Sequence, residues 1–417
     1  MARRVVVTGL GAITPVGNDV PTTWSALVAG KSGVARITQF DPSPFSVQIA
    51  GEVKNFNPTD FLEPSEARRM DRCVQFAVVA AMEALKDANL QVTEDNAERF
   101  GALVGSSVGG IKTLLENQRI LEERGPRRVG PWFLPMMVPD TSAGQIAITL
   151  GVRGPNMCIS TSCATGGNAI GEAWEIVRRG DADIMFAGGT ESAVVPVSLA
   201  GFIQAKALAT NNEQPEKAMC PWDKKRNGFV MSEGSAILIL EELEHARARG
   251  AKIYAEMLGY GATADAFHLI APPEGAEGAG RAMRAALRKA GIHPEEVDYV
   301  NAHGSSTPLN DVAETICLKN VFGKHAYKLL VASTKSITGH MMGAAGAIEA
   351  ISTIMSICHG VVAPTINLDD PDPECDLDYV PNVARKAEVN IGLSSSMGMG
   401  GHNSCVIFGK YPDVRGA

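Results

Sequence analysis

Short runs of consecutive apolar residues alternate along this chain with longer stretches in which apolar positions recur every three or four residues. The first pattern marks buried strands, the second helices with one face on a core. Val5–Val7 reads as an opening strand, and Ala67–Ala88 as a long amphipathic helix with alanine and leucine on one face. Phe100–Val104 is a strand running into Gly105-Ser-Ser-Val-Gly-Gly, and Ile111–Arg124 a polar-faced helix. Thr141–Leu150 then precedes a turn at residues 159–167, from which a helical pattern runs from about Ala164 to Arg179. Ile184–Ala187 and Ala236–Leu240 are short buried strands, and Glu241–Gly250 is a charged surface helix with a glycine stop. The pattern then restarts. Strands Ile253–Leu258, Val297–Asn301 and Leu329–Ala332 alternate with helices Ala276–Ala290, Asp311–Phe322 and Met341–Cys358, and strands Glu388–Ser394 and Cys405–Phe408 close it. Two successive sets of strand–helix units meeting near residue 250 predict an α/β fold of two similar halves, 1–250 and 251–417. The sequence carries no self-similarity strong enough to define a repeat.

A chain of 417 residues is too long for one simple core, in keeping with two units. The net charge of −8 argues against general nucleic-acid binding and makes any basic patch local and partner-specific. The eight cysteines are scattered without a Cys-x-x-Cys pair, and the opening apolar run is too short for a secretory signal. Reduced thiols in a soluble, cytoplasmic protein are therefore expected. Met341–Cys358 is tempting as a membrane span, but Glu349 and several hydroxyls make a buried core helix the better reading, with no membrane insertion. Two glycine-rich segments are near misses for nucleotide binding. In Thr8–Gly17 the third glycine of a dinucleotide fingerprint is Thr14, followed by Pro15. In Gly105–Thr113 the lysine of a phosphate loop, Lys112, comes one residue late. The histidines show no His-x-x-x-His spacing, so neither a metal nor another cofactor is expected.

Candidate chemistry begins at Ile159-Ser-Thr-Ser-Cys-Ala-Thr-Gly-Gly167, where a strand-like run ends in small residues and a helix begins. Cys163 falls on the turn, where the helix macrodipole favours a thiolate, and Gly166 and Gly167 allow another backbone to come close. Taken alone, a cysteine among small residues is ordinarily a buried core thiol. Its company changes that reading. Val297–Thr307 presents His303 at the carboxyl end of a strand, Val331–Gly346 presents Lys335 and His340 ahead of a buried helix, and Ser394–Asn403 is a glycine-rich loop between the last two strands. Ligands of α/β sheets sit beyond the carboxyl ends of strands. One cysteine, two histidines and a lysine at equivalent turns make a nucleophile with imidazole partners a better account than four coincidences.

Cys163, Asn301-Ala-His-Gly-Ser-Ser-Thr307, Lys335-Ser-Ile-Thr-Gly-His340 and the terminal Gly-Met-Gly-Gly loop resemble the β-ketoacyl-[acyl-carrier-protein] synthases, condensing enzymes of the thiolase superfamily. The match is closest to the type II enzymes of fatty-acid synthesis and their polyketide relatives, and it runs from Val5 to Phe408. The resemblance implies a thiolase-like fold, two similar halves in a five-layered αβαβα arrangement, usually a homodimer. It implies a decarboxylative Claisen condensation in which Cys163 takes the acyl group as a thioester. Backbone amides of Cys163 and Met399 would form the oxyanion hole. His303 and His340, as neutral Nε2–H donors, would hold the malonyl thioester oxygen, and Lys335 with its counter-charge Glu349 would order the site. A glutamate in so apolar a helix is otherwise hard to justify unless paired.

The resemblance also implies an acyl carrier protein as partner, its phosphopantetheine passing Ser305 and Thr307. Basic groups at Arg68 and Arg69 (with Arg72), at Arg127 and Arg128 near Arg124, and at Lys206 would dock the acidic carrier. Val108 and Phe202 would wall the acyl pocket. Three departures stand out: Ser-Cys-Ala-Thr-Gly around the nucleophile, Ile270 where a hydroxyl residue often holds pantetheine, and Met397 and Met399 in place of phenylalanines. Methionine at the acyl gate predicts a looser gate and a shifted acyl preference. The alternatives are a ketosynthase of a polyketide or specialised-lipid pathway and a non-catalytic chain-length-factor-like partner. The presence of Cys163 weighs against the second.

Overall fold

The two rounds of strand and helix patterning fold into one succession of main elements, used twice. In the computed structural model, which describes residues 2–412, the first round is β1 (Val5–Ile13), α1 (Arg72–Asp87), β2 (Phe100–Gly105), α2 (Thr141–Leu150), β3 (Asn156–Met157), α3 (Thr165–Arg179), β4 (Ile184–Glu191) and β5 (Gly234–Glu242). The second is β6 (Ala255–Ala264), α4 (Glu277–Ala290), β7 (Tyr299–Asn301), α5 (Pro308–Phe322), β8 (Leu330–Ala332), α6 (Ala345–His359), β9 (Ile391–Gly398) and β10 (His402–Gly409).

These strands form one mixed sheet in the order β8-β7-β9-β10-β6-β1-β5-β4-β2-β3. Its two rounds meet where β1 pairs antiparallel with β6, Val6 opposite Glu256. Read outward from that seam, each half has the same order: first strand, last, penultimate, then the two parallel strands between. The repeat lies in topology and burial rather than in sequence.

The layers follow from which faces are apolar. α1 and α2 cover the outside of the first half's strands, and α4, with α5 beside it, covers the outside of the second's. α3 and α6 lie between, each packed on strands of both halves and on each other. This is the expected five-layered αβαβα arrangement. A central helix has no solvent face, and in α6 every residue from Ala345 to Ile357 is buried. The stretch Met342–His359 is long and apolar enough to cross a membrane, yet 89% of it is buried within the protein. The two central helices touch backbone to backbone. A methyl on Gly166 would stand 2.7 Å from the Ala347 nitrogen, and one on Gly346 would stand 2.7 Å from the Gly167 nitrogen.

Several boundaries differ from the pattern, three of them with a clear local cause. The helix expected over Ala67–Ala88 is a single turn at Pro64–Ala67 followed by α1, because Asp71 interrupts it as an N-cap: its carboxylate accepts the Cys73 N–H at 3.1 Å. Glu241 does not begin a surface helix. It lies inside β5, buried, accepting the Thr8 hydroxyl at 2.6 Å and pairing with Arg249 at 2.7 Å, and the helix is Leu243–Ala248. α6 begins at Ala345 because Met342–Ala344 forms a tighter 3₁₀ turn. That turn matters for the site. It packs against the matching turn before α3, Ser162–Ala164, and the end of β9 packs against the latter.

Candidate active site

Cys163 sits in the Ser162–Ala164 turn, and the turn is held from three sides. Ser162 has a φ of +53°, a strained value for a residue with a side chain. The Thr165 hydroxyl accepts the Thr161 N–H at 2.8 Å, and Asn168 donates to the Thr161 hydroxyl at 2.8 Å. Tyr260, from β6 in the other half, donates to Asn168 at 3.0 Å. Gly398 closes the third side, since a Cβ there would be 3.0 Å from the Cys163 nitrogen. This approach brings the Met399 backbone N–H to the Cys163 sulfur.

Cys163 opens onto two cavities. The outer one, about 390 Å³, is also lined by His303, His340, Ser305, Thr307, Lys206 and Ile270. The second, about 330 Å³ and itself open to solvent, is lined by Val108, Ser198, Gly201 and Met342 among others. Phe202, Ala205 and Met399 belong to both walls. Met399 therefore stands at the junction of the two cavities, beside Cys163. Ser305 and Thr307 share a hydrogen bond at 3.0 Å on the outer wall, and Met397 lines the same cavity.

The imidazoles of His303 and His340 meet edge to face, centroids 5.5 Å apart. Phe229, which the sequence reading did not single out, packs edge-on against His340 at 5.2 Å. Burial holds both histidines well below the ordinary imidazole range; Lys335 adds to this at both, and His340 adds to it at His303. Both are neutral near pH 7. His340 Nδ1 accepts the Met342 N–H at 3.3 Å, which leaves the proton of the neutral ring on Nε2.

Lys335 and Glu349 lie behind this wall, in contact with each other, both buried and neither lining a cavity. The Lys335 ammonium donates to the His303 carbonyl at 2.7 Å. Burial pushes Glu349 up to about 7, and Lys335 pulls it back down. On the far side, Glu314 accepts the backbone N–H groups of His303 and Gly304, each at 2.7 Å. Glu314 escaped notice in the sequence because a carboxylate serving backbone donors leaves no pairing motif. Its position in a helix with buried neighbours was the available signal, the same one that marked Glu349.

Two expectations are corrected. The helix terminus does not make Cys163 a ready thiolate: burial pushes its thiol up to about 11, Glu191 and Glu349 add to this, and Lys335 and the Met399 N–H offset only part. Arg72 does not belong to a docking patch. It pairs with the buried Glu233 at 2.9 Å and lies over the Phe76 ring at 4.6 Å. Arg68, Arg69, Arg127 and Arg128 are exposed, and Arg69 stacks on Trp132 at 4.7 Å, which brings the first pair's segment against the second's. Lys206 is exposed at the mouth of the outer cavity. Among the described residues no group of three or more His, Cys, Asp or Glu side chains is placed to hold a metal ion.

A cysteine, two neutral imidazoles and a buried lysine around a two-chambered cavity have a counterpart among known families. Residues 2–246 match the N-terminal domain of the β-ketoacyl synthases and residues 254–369 the C-terminal domain. The chain belongs to the β-ketoacyl synthase family. It is 52% identical over 409 residues to 3-oxoacyl-[acyl-carrier-protein] synthase 2 of Staphylococcus aureus (strain COL), covering 98% of this chain and 99% of the relative. It is also 52% identical to the protein of that name from Synechocystis sp., covering 98% of each. A ketosynthase solved in complex with its type II polyketide acyl-carrier protein superposes with a TM-score of 0.91 at 36% identity, covering 99% of this chain and 100% of that one. A β-ketoacyl synthase from Burkholderia phymatum gives 0.91 at 34% identity, covering 98% and 100%.

A thiol raised so far titrates late. Alkylation of Cys163 by iodoacetamide, followed by mass spectrometry of its peptide, is expected to accelerate about tenfold per pH unit from about pH 7 to 9. A plateau beginning below about pH 8 would contradict the burial argument.

Proposed function

We propose that this chain is a 3-oxoacyl-[acyl-carrier-protein] synthase that elongates fatty acyl chains by two carbons through decarboxylative Claisen condensation. The observation that carries the reading is the position of Cys163 at the junction of two cavities, with the neutral histidine pair in the outer one only. Cys163 attacks the acyl-carrier thioester, forms its own thioester and releases the carrier's pantetheine thiol. The acyl chain lodges in the second cavity past Met399, against Val108 and Phe202. Malonyl-carrier then enters past Ser305 and Thr307. His303 and His340 donate Nε2–H to its thioester oxygen while the carboxylate leaves as CO2, so the electron pair of the broken bond becomes an enolate. The enolate carbon attacks the acyl-Cys163 carbonyl. The backbone N–H groups of Cys163 and Met399 hold the oxyanion, and its collapse expels the Cys163 thiolate with the 3-oxoacyl chain on the carrier. Lys335, paired with Glu349, keeps the imidazoles neutral and in place. Residues 1–250 thus bring the nucleophile and residues 251–417 the histidines. The substrates arrive on phosphopantetheine, and no further cofactor enters this scheme.

Carrier docking falls to the exposed Arg68, Arg69, Arg127 and Arg128 and to Lys206 at the mouth, whose charge complements an acidic partner. We further propose a homodimer formed along β3. Both residues of this edge strand are exposed, Met157 by 43%, and neighbouring Ile148 is 76% exposed, apolar surface that an isolated edge leaves unpaired. All eight cysteines are free thiols, which supports a cytoplasmic setting.

With acyl-carrier and malonyl-carrier as substrates, wild-type protein is expected to release one product two carbons longer, and Cys163→Ala to lose at least about 10³-fold in rate. Condensation by Cys163→Ala at the wild-type rate would sink the mechanism, and serial extension without release would favour the polyketide reading. Light scattering is expected to give twice the chain mass for wild type and the chain mass for an Ile148→Asp, Met157→Asp variant. A monomeric wild type would contradict the dimer.

A further inference from the structure

One buried acid near the nucleophile has no part in this scheme. Glu191, the last residue of β4, is fully buried, and all its partners are donors. Its Oε1 accepts the Ser106 hydroxyl at 2.8 Å and the Val108 N–H at 3.4 Å. Its Oε2 accepts the N–H groups of Ser107 at 2.9 Å and Gly343 at 3.1 Å. An ionised carboxylate satisfies all of these at once, and such charge-assisted bonds are strong where water is excluded.

The partners lead to three different parts of the site. The loop after β2 carries Val108, in the wall of the second cavity. The Ser107 hydroxyl continues from that loop to the Ser162 carbonyl at 2.9 Å, one residue before Cys163. Gly343 follows Met342, whose N–H fixes His340 Nδ1. Acyl wall, nucleophile turn and decarboxylating histidine thus share one carboxylate. Glu314 provides the contrast. It supports the topologically equivalent loop after β7, and its backbone donors, His303 and Gly304, lie in its own half. Glu191 belongs to the first half and reaches Gly343 in the second. The crossing is tight, since a methyl on Gly343 would stand 2.7 Å from both Glu191 Oε2 and the Ser107 nitrogen.

We propose that Glu191 is a positioning residue that couples the acyl-pocket wall to His340, so that acyl-length selectivity and malonyl decarboxylation rest on one support. An acyl chain pressing on Val108 moves the N–H groups that Glu191 holds. The same carboxylate passes that movement to Gly343 and Met342, and so to the imidazole. This rests on the condensation reading and extends it to selectivity.

The test uses the full chain with two readouts: the ratio of Cys163 acylation rates by short- and long-chain acyl-carriers, and malonyl-carrier decarboxylation. Glu191→Gln sets an amide N–H against backbone N–H donors and is expected to slow decarboxylation about tenfold or more while changing the acylation ratio. The sharper variant acts from the acyl-wall side and is read on the other. Ser106→Ala, which lines neither cavity, is expected to slow decarboxylation at His340. This cross-effect decides the proposal if Glu191→Gln fails to fold. A cooperatively melting Ser106→Ala protein that changes only the acylation ratio and decarboxylates at the wild-type rate would overturn it, as would a folded Glu191→Gln with wild-type values of both readouts. Failure of wild type to form any 3-oxoacyl product would instead reject the condensation reading itself.

Discussion

The site depends on an ammonium ion that water does not reach. Lys335 is 1% exposed, touches Glu349 and donates to the His303 carbonyl. Such a pair adds little to stability, because the desolvation of both charges cancels most of their attraction, while removing one partner costs ~3–5 kcal/mol. Its effect is on its neighbours. The positive charge opposes protonation of both imidazoles and pulls the Cys163 thiol back toward ionisation. The first makes hydrogen-bond donors that carry no net charge; the second counters, in part, the burial that keeps the nucleophile protonated. Both act through space from behind the cavity wall, which leaves the cavity itself free for substrate.

The fold explains how groups so far apart in sequence come under one charge. Each half lays down the same order of strands and sends one helix into the central layer. The turns that start those helices, Ser162–Ala164 and Met342–Ala344, pack together. Cys163 lies within the first turn and His340 two residues ahead of the second, so the two side chains come from neighbouring turns of two similar units. Close contact at Gly166 and Gly346 fixes the spacing. In the proposed condensation, the acyl thioester and the enolate thus have their two supports built from the two halves.

Much of this was legible in the chain. The strands and the restart near residue 250 follow from apolar spacing, and Cys163, His303, Lys335 and His340 stand out because each sits among small residues at the end of a strand or the start of a helix. The five layers came from the resemblance rather than from periodicity. Three features were hidden for physical reasons. The halves share topology, which needs only matched burial, so no repeat shows in the residues. Glu191 and Glu314 bind mostly backbone N–H groups, which every residue but proline carries, so no charged partner marks them in the sequence. Arg72 stands beside Arg68 and Arg69 in sequence, and only the fold turns it inward onto Glu233 while the other two face solvent. The direction of the Cys163 thiol was misjudged because a helix terminus is visible in sequence and the depth of burial is not.

The central claim is a division of labour, with Cys163 holding the acyl group and His303 with His340 generating the carbanion. Mass spectrometry of a His303→Ala, His340→Ala variant, charged with acyl-carrier and then given malonyl-carrier, tests it most directly. The account predicts that the acyl thioester forms on the Cys163 peptide and then persists, with no 3-oxoacyl product. Discharge of that thioester into 3-oxoacyl-carrier at the wild-type rate would contradict it.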